Sequence, residues 1–183
     1  MLSYLTRACV LASLMLIAAL APTAQAATKA PMNGGVAAQT EPTDAPGAVA
    51  TVDQFGIAHA PAGAPRAVKA AIAAGNRIQG KPYVWGGGHG KWESRGYDCS
   101  GTVSYVLHAG GLLNTPLVSG AFARSFGLRG KGRWITIYAN SGHAFMFIAG
   151  LRLDTSGTGG KGPRWRLEPR GMGGFVPRHP RGL

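Results

Sequence analysis

The chain has 183 residues, of which 45% are hydrophobic and 14% charged, and its formal net charge is +12 at pH 7. That length suits one small domain with its own core, no internal repeat is visible, and a single cysteine beyond the first dozen residues excludes an internal disulfide there. The basic excess favours anionic partners, although charge alone does not choose among wall polymers, carboxylate-rich peptides, anionic lipid and nucleic acid.

Residues 1–26 have the pattern of a secretory signal peptide. Arg7 supplies the basic start, Ala8 to Ala21 form an apolar run, and Ala24-Gln25-Ala26 is a small-residue cleavage signal. The apolar run has about 14 residues, whereas a membrane-spanning helix needs about 20. We therefore expect export to a periplasmic or extracellular position associated with the cell wall, and the alternative is a retained membrane anchor.

The next part of the chain divides into a linker and a folded domain. Residues 27–65 are rich in Ala, Pro, Thr and Gly without sustained periodicity, which predicts a flexible linker. Residues 66–183 are predicted to form the domain. Its first helix is predicted over 64–80, ending near Gly80, because Pro82 blocks continuation.

A Gly-rich loop over residues 83–96 is predicted to lead into a second helix that begins at or just before Cys99. The i, i+3, i+4 spacing of three aliphatic residues predicts the buried face of this helix. These residues are Val103, Val106 and Leu107. Gly110-Gly111 closes the helix, and residues 114–132 give no clear signal.

Strands are predicted in the second half of the domain. Two sets of residue types alternate along residues 133–140, as they do in a strand. Residues 142–157 are predicted to form two strands with a turn at Ala149-Gly150. The tail, 158–183, has too much Gly and Pro for regular structure to be predicted. Two helices followed by antiparallel strands indicate an α+β fold, with helices packed on a small antiparallel sheet.

Cys99 is the candidate nucleophile. The thiolate is the reactive form of cysteine, and a helix N-terminus or a nearby imidazolium lowers the pKa of a thiol. Asp98 and Ser100 are typical helix-starting residues, and Gly101 allows a substrate to approach the backbone. The alternative is a buried, inert cysteine that packs as a small hydrophobic residue.

Among the five histidines, His143 is the candidate base because it opens a predicted strand, which gives firm support. His89 lies in the Gly-rich loop, and His108 is about 13 Å along the helix from Cys99, too far for a hydrogen bond. A third group should orient His143. An even-length turn between the two strands places Asp154 on its side of the sheet, whereas an odd-length turn brings Thr155 there.

The stretch KPYVWGGGHGKWESRGYDCSG, followed later by GHAFMFIAG, resembles the NlpC-type cell-wall peptidases, which are papain-like cysteine endopeptidases of bacteria. The resemblance covers roughly residues 66–157. It rests on Tyr83, Gly86-Gly87, Asp98-Cys99-Ser100-Gly101 and Gly142-His143. The Asp-Cys-Ser-Gly tetrad alone is a weak signal; the Tyr-x-Trp-Gly-Gly run before it and the Gly-His pair after it make the pattern more specific.

The resemblance implies a papain-like core in which a strand-borne histidine activates the helix-capping cysteine, and it implies cleavage of peptidoglycan stem peptides. It further implies that Tyr83 lines the site near the oxyanion and that Asp98 and Ser100 contact the free amine of the substrate. Two departures stand out. The usual Gly-Asp-led strand before the histidine is replaced by GRWITIYAN, and the third position is Asp154 in place of His, Asn or Gln.

We therefore expect a monomeric, secreted thiol peptidase that requires no metal and no cofactor and forms a thioester acyl-enzyme. Its expected partners are peptidoglycan stem peptides, with anionic envelope polymers as further candidates. The main alternative is a catalytically silent wall-binding module that uses the basic surface. Nucleic acid is not favoured as a partner because the aromatic residues are not interleaved with the arginines.

Overall fold

The computed structural model of the chain describes residues 49–157 and 161–183. The predicted signal peptide, 1–26, lies outside the described residues, as does most of the predicted linker. Within the described part, no helix combines the length and the apolar character that crossing a membrane requires.

Three helices and eight short strands make up the described part of the chain. The helices are α1 (Arg66–Ile78), α2 (Cys99–Ala109) and α3 (Ser119–Ser125). The strands are β1 (Thr51–Val52), β2 (Ala58–His59), β3 (Leu128–Arg129), β4 (Ile135–Ala139), β5 (Ala144–Ile148), β6 (Leu151–Asp154), β7 (Arg164–Arg166) and β8 (Val176–His179). The predicted α+β class, with helices packed on a small antiparallel sheet, is confirmed.

Strands β3 to β8 form one antiparallel sheet in the order β3-β8-β4-β5-β6-β7, and β1 pairs with β2 in a separate hairpin. The predicted turn between β5 and β6 is confirmed, since Ile148 pairs with Leu151. Its two residues, Ala149 and Gly150, both have positive φ, at 47° and 79°. Positive φ at both central residues is the signature of a type I′ turn, whose twist matches that of the flanking strands.

Helices α1 and α2 pack against one face of the sheet, and the main core lies between them. Its members are aliphatic residues of both helices and of the three central strands: Val68, Ile72, Ile78, Val103, Val106, Leu107, Ile135, Ile137, Met146, Ile148, Leu151 and Leu153. Each fully buried aliphatic side chain stabilises the fold by about 1.5–3 kcal/mol. A second cluster on the sheet joins three aromatic residues, Tyr138, Phe145 and Phe147, with Met172 and Phe175 of the tail.

The last part of the predicted linker contains regular structure. Residues 49–65 fall within the predicted linker, yet they contain β1 and β2, and Ala50, Ala58 and Ala64 are buried in the main core. The structured part therefore begins before residue 66. Strands of two residues have no periodicity to detect, and alanine side chains give little apolar signal even when they are fully buried.

Regular structure also appears in two segments for which none was predicted. Helix α3 and strand β3 lie within residues 114–132, and β7 and β8 lie within the Gly- and Pro-rich tail. The tail strands form because β6 and β4 offer unpaired edges, and backbone groups at such edges need hydrogen-bond partners. Tertiary pairing thus overrides the weak local preference of the tail.

Candidate active site

Cys99 is the first residue of α2, and its side chain is buried, with 7% of the residue exposed. Asp98 is the N-cap, and its Oδ1 accepts a hydrogen bond from the N–H of Gly101 at 2.6 Å. The first N–H groups of a helix have no partner within the helix and carry partial positive charge. The sulfur therefore lies where negative charge is favoured.

His143 lies directly before β5 and is fixed by a tight turn. The side-chain oxygen of Asn140 accepts hydrogen bonds from the N–H groups of Gly142 and His143, both at 2.9 Å, and the Asn140 N–H donates to the His143 carbonyl at 3.0 Å. The imidazole and the N–H of Ala144 both lie near the sulfur of Cys99, where they lower the pKa of its thiol. The two residues predicted as nucleophile and base therefore lie side by side.

Asp154, at the end of β6, holds the other side of the imidazole. Its Oδ1 lies 2.9 Å from Nε2 of His143, and only 1% of the residue is exposed. Because the β5–β6 turn has two residues, strand parity brings Asp154 to His143, whereas Thr155 is buried elsewhere. With Nε2 facing Asp154, the Nδ1 edge of the ring is the one left for Cys99.

The three groups shift one another's pKa values. Burial alone would raise the pKa of the Cys99 thiol, but the hydrogen bonds from His143 and from the Ala144 N–H outweigh it and lower that pKa. Burial alone would lower the pKa of His143, but its hydrogen bonds to Asp154 and Cys99 raise it to about 9. Burial opposes the charge of Asp154, yet its hydrogen bonds from His143 and the Ser156 N–H lower its pKa. A thiolate–imidazolium pair is therefore favoured at neutral pH.

Sequence reasoning missed two residues that contact this group, Ser156 and Arg170. The N–H and the hydroxyl of Ser156 donate to Asp154 Oδ1 at 3.0 and 3.1 Å. Nη1 of Arg170 donates to the Ser156 hydroxyl at 2.7 Å and lies 3.0 Å from Asp154 Oδ2. The spacing of Ser156 two residues after Asp154 is a recognisable local signal, but nothing in the sequence distinguishes Arg170 from the other arginines of the tail.

Asp98 and Ser100 are nearly buried, and their polar atoms form a network within the protein. Asp98 Oδ2 accepts from the Gly86 N–H at 3.0 Å, and Asp98 Oδ1 lies 3.1 Å from Nε2 of His89. The Ser100 hydroxyl donates to Asp98 Oδ1 and lies 3.2 Å from the same His89 nitrogen. A substrate amine would share or replace these bonds, so the predicted contact of Asp98 and Ser100 with substrate stays a prediction.

Tyr83 and Trp85 lie in the loop beside Cys99 and differ in exposure. Tyr83 is 38% exposed, and burial together with the charges of Cys99 and Asp98 raises the pKa of its hydroxyl, which therefore stays protonated. Trp85 is 87% exposed at the tip of a turn in which the Gly87 N–H donates to the Val84 carbonyl at 2.9 Å. Tyr83 is thus near the sulfur, its predicted position near the oxyanion stays a prediction, and Trp85 does not belong to the core.

The other histidines have structural neighbours away from the sulfur. His108 stacks on Trp92 with ring centroids 3.9 Å apart, and His59 bonds to Asp53 at 2.8 Å. Among the described residues, no group of three or more His, Cys, Asp or Glu side chains is arranged to hold a metal ion. The arrangement that can act chemically is therefore the Cys99–His143–Asp154 group.

No family model matches the chain, and no curated protein matches it. Among solved structures, it is similar to the peptidoglycan hydrolase RipB of Mycobacterium tuberculosis, with 28% identity over 63% of this chain and 68% of that one, at a TM-score of 0.48. It is also similar to a hypothetical invasion protein of the same organism, with 27% identity over 63% of this chain and 65% of that one, at a TM-score of 0.45. The chain thus spans about two thirds of RipB and just under two thirds of the second protein.

Proposed function

We propose that the protein is an exported cysteine endopeptidase that hydrolyses amide bonds in peptidoglycan stem peptides through a thioester acyl-enzyme. The observation that carries the reaction type is the thiol at the start of α2, whose pKa is lowered by the neighbouring His143, together with the 2.9 Å contact between Nε2 of His143 and the buried Asp154. A nucleophile, a base and a group that orients the base are the three parts that activated acyl transfer needs.

In the first half of the reaction, the thiolate of Cys99 attacks the amide carbonyl of the substrate. The carbonyl oxygen becomes an oxyanion that accepts hydrogen bonds from N–H groups at the start of α2, including that of Cys99. The imidazolium of His143 then gives its proton to the leaving amine as the C–N bond breaks. The products of this half are a free amine and a thioester on Cys99.

In the second half, His143 is neutral and acts as a base toward water. The water oxygen attacks the thioester carbonyl, its proton passes to His143, and the carbon–sulfur bond breaks to release a carboxylic acid and the thiolate. The carboxylate of Asp154 stabilises the imidazolium in both halves and keeps its ring directed at the sulfur. The net reaction consumes one water for each amide bond.

The substrate class rests on the resemblance of the motifs to the NlpC-type peptidases. Tyr83 has a protonated hydroxyl beside Cys99, which suits the predicted position near the oxyanion. Export rests on the signal-peptide pattern of residues 1–26. A basic chain that acts on the cell wall would also meet anionic envelope polymers, which its net charge of +12 favours.

The test is to incubate the purified protein with muropeptides and to identify the products by mass spectrometry. We expect two products whose summed mass exceeds that of the intact stem peptide by one water, and loss of turnover in Cys99→Ala. His143→Ala should lower turnover by about 10²- to 10⁴-fold. His59→Ala, at a histidine whose side chain is 57% exposed and bonded to Asp53, is the matched control and should keep full activity.

Equal turnover of the wild type and Cys99→Ala would contradict the proposed nucleophile. Retention of the protein on purified cell walls, without any product from any muropeptide, would instead identify the silent wall-binding module.

A further inference from the structure

Arg170 lies in the tail, between β7 and β8, and reaches the group around Asp154. Its Nη1 is 3.0 Å from Asp154 Oδ2 and donates a hydrogen bond to the Ser156 hydroxyl at 2.7 Å. Its guanidinium carbon lies 4.5 Å from the ring centroid of Phe145 and 5.3 Å from that of Phe175. The same two rings flank His143, at centroid distances of 6.0 and 6.2 Å.

These contacts place one nitrogen of Arg170 between the two groups that face Nε2 of His143. Because the Ser156 hydroxyl accepts from Arg170, its own hydrogen is free to point at Asp154 Oδ1, to which it donates at 3.1 Å. Asp154 Oδ1 and the Ser156 oxygen both lie near the imidazole nitrogen, at 2.9 and 3.3 Å. Nε2 therefore faces acceptors, which favours a proton on that nitrogen and leaves Nδ1 for the sulfur.

The charge of Arg170 also bears on the ionisation of Asp154. A buried carboxylate is costly to ionise without a partner, and Asp154 is 1% exposed. Apart from the His143 imidazolium and Arg170, the nearest cation is Arg152, whose Nε is 3.8 Å from Oδ2 and whose Nη2 is 3.4 Å from Glu168. Arg152 is thus shared with a second carboxylate, and Arg170 makes the shorter ion pair with Asp154.

We infer that Arg170 is a positioning residue of the proposed peptidase: it fixes Asp154 and Ser156 so that the imidazole of His143 stays directed at Cys99. This inference rests on the proposed function, and it adds to the catalytic group a residue from the Gly-rich tail. The aromatic rings of Phe145 and Phe175 hold the guanidinium by cation–π contact. We call Arg170 with its partners Asp154 and Ser156 the clamp; β5, β6 and the tail together build it.

The charged groups that face this cluster come from three elements and from the segment that follows β7. Cys99 belongs to α2, Asp154 and Arg152 to β6, Arg166 to β7, and Glu168 lies beyond β7. Loss of Arg170 leaves the buried Asp154 with a weaker cation partner and leaves the Ser156 hydroxyl without its donor. Since both effects reduce the support of the imidazolium, the thiolate–imidazolium pair should be less populated without Arg170.

The experiment measures alkylation of Cys99 by iodoacetamide in the full chain, followed on the Cys99-containing peptide by mass spectrometry at pH 6 and pH 10. It needs no substrate, and it compares the wild type with Arg170→Ala, Arg170→Lys and the control Arg181→Ala, an exposed arginine of the same tail. Arg170→Ala should slow alkylation about tenfold at pH 6 and leave it unchanged at pH 10, where an ordinary thiol is ionised without help from an imidazolium. Arg170→Lys should fall between wild type and Arg170→Ala, and Arg181→Ala should match wild type.

Alkylation at pH 6 that is unchanged or faster in Arg170→Ala would overturn the inference. Removal of the positive charge of Arg170 favours the nearby imidazolium and by itself makes alkylation faster, so faster alkylation would show a charge effect and no positioning. Equal slowing at both pH values, together with a changed near-ultraviolet circular dichroism spectrum, would assign Arg170 to the fold and would also overturn it. If Arg170→Ala does not fold, Arg170→Lys becomes the test of the inference. Alkylation of Cys99 in that variant at the wild-type rate at pH 6 would contradict the inference.

Turnover of muropeptides separates this inference from the proposed function. If the inference and the proposed function both hold, Arg170→Ala lowers kcat and leaves KM unchanged, because Arg170 contacts no substrate. A wild type that cleaves nothing, yet shows the Arg170-dependent alkylation at pH 6, would overturn the proposed hydrolysis and keep the clamp. A wild-type Cys99 that reacts at pH 6 no faster than an ordinary thiol would overturn the clamp as well.

Discussion

His143 lies between Asp154, to which it is hydrogen bonded, and Cys99, and both neighbours are negatively charged in the proposed active state. The family that the motifs resemble typically has His, Asn or Gln in the third position, and the carboxylate of Asp154 stabilises an imidazolium more strongly than these neutral groups do. The raised pKa of His143, about 9, is the physical consequence. This chain should therefore keep its ion pair to a higher pH than a neutral third residue would allow.

The pH dependence of kcat/KM tests that consequence. Activity should rise as the Cys99 thiol ionises below its usual range and fall as His143 loses its proton near pH 9, which gives a bell-shaped profile. Asp154→Asn removes the charge that raises the pKa of His143, so the alkaline limb should move to lower pH and the maximum should drop about 10- to 100-fold. An alkaline limb that stays in place in Asp154→Asn would contradict this account.

Asp53→Asn is the matched control for that profile, because Asp53 also bonds to a histidine, His59, at 2.8 Å but on the surface. Its profile should equal that of the wild type.

The raised pKa of His143 also affects stability. The pKa of His143 is raised above its ordinary value of 6.5, so its contribution to the free energy of unfolding is fully present below that value and is lost as pH rises through about 9.

Asp154 shows what the sequence could predict at the scale of single residues, and Arg170 shows what it could not. Strand alternation and an even-length turn are enough to bring Asp154 to the side of His143. The position of Arg170 depends on how the tail crosses the sheet, and Gly- and Pro-rich segments carry no periodic signal that fixes such a path. Contacts within a hairpin are thus predictable from local rules, whereas contacts from an irregular segment are not.

Asp98, which caps helix α2, also forms a hydrogen bond with the neighbouring Gly-rich loop. Asp98 accepts hydrogen bonds from the N–H groups of Gly101 and Gly86, and it lies beside His89. The loop is close packed there: a Cβ on Gly101 would overlap the Gly87 carbonyl oxygen. The Gly-rich loop therefore keeps the backbone near Cys99 in one conformation, and glycine at 101 is a steric requirement.

Asp98→Ala should lower the free energy of unfolding by about 2 kcal/mol, because it removes a helix cap and leaves two buried N–H groups without an acceptor. Urea denaturation measures the change. Ser125→Ala, which removes an exposed hydroxyl at the end of α3, is the control and should change stability by less than about 0.5 kcal/mol. A loss in Asp98→Ala no larger than in the control would show that the cap does not stabilise α2.

The elements that sequence patterns predicted have clear boundaries, whereas the seven-residue helix α3 lies in a segment that gave no signal. Helices α1 and α2 have aliphatic spacing and glycine or proline stops, and β4 to β6 are runs of four or five residues around a short turn. The missed strands, β1, β2, β3, β7 and β8, have two to four residues each. Strands β3, β7 and β8 form against other strands of the six-stranded sheet, so their signal is tertiary and not local, whereas β1 and β2 form a two-stranded sheet of their own.

At the scale of the whole molecule, the segments that sequence patterns left unstructured complete the domain. The tail places β7 beside β6 and β8 beside β4, and the N-terminal hairpin packs on α1. Asn76 of α1 ties both together, because its Oδ1 accepts from the Trp165 indole N–H at 2.7 Å and from the Ala58 N–H at 2.9 Å. Removing either segment would leave buried polar groups without partners.

The N-terminal hairpin offers the clearest test at this scale. A chain that begins at Arg66, the predicted domain start, loses the buried side chains of Ala50, Ala58 and Ala64 and the backbone bond from the Ala50 N–H to the Ala149 carbonyl at 2.9 Å. It also leaves Nδ2 of Asn76 without the Ala58 carbonyl, to which it donates at 2.8 Å.

Loss of three buried alanines and of these bonds should lower the free energy of unfolding by about 3–5 kcal/mol, a large part of the 5–15 kcal/mol that small domains have. Urea denaturation of chains that begin at Val49 and at Arg66 measures the difference. The chain from Val49 should match the full-length protein in stability and in alkylation of Cys99 at pH 6, because the bond to Ala149 keeps the β5–β6 turn, and with it the parity of Asp154, in place. Equal stability of the two shortened chains would show that residues 49–65 do not belong to the folded domain. That result would support the flexible linker that the composition of this segment predicts.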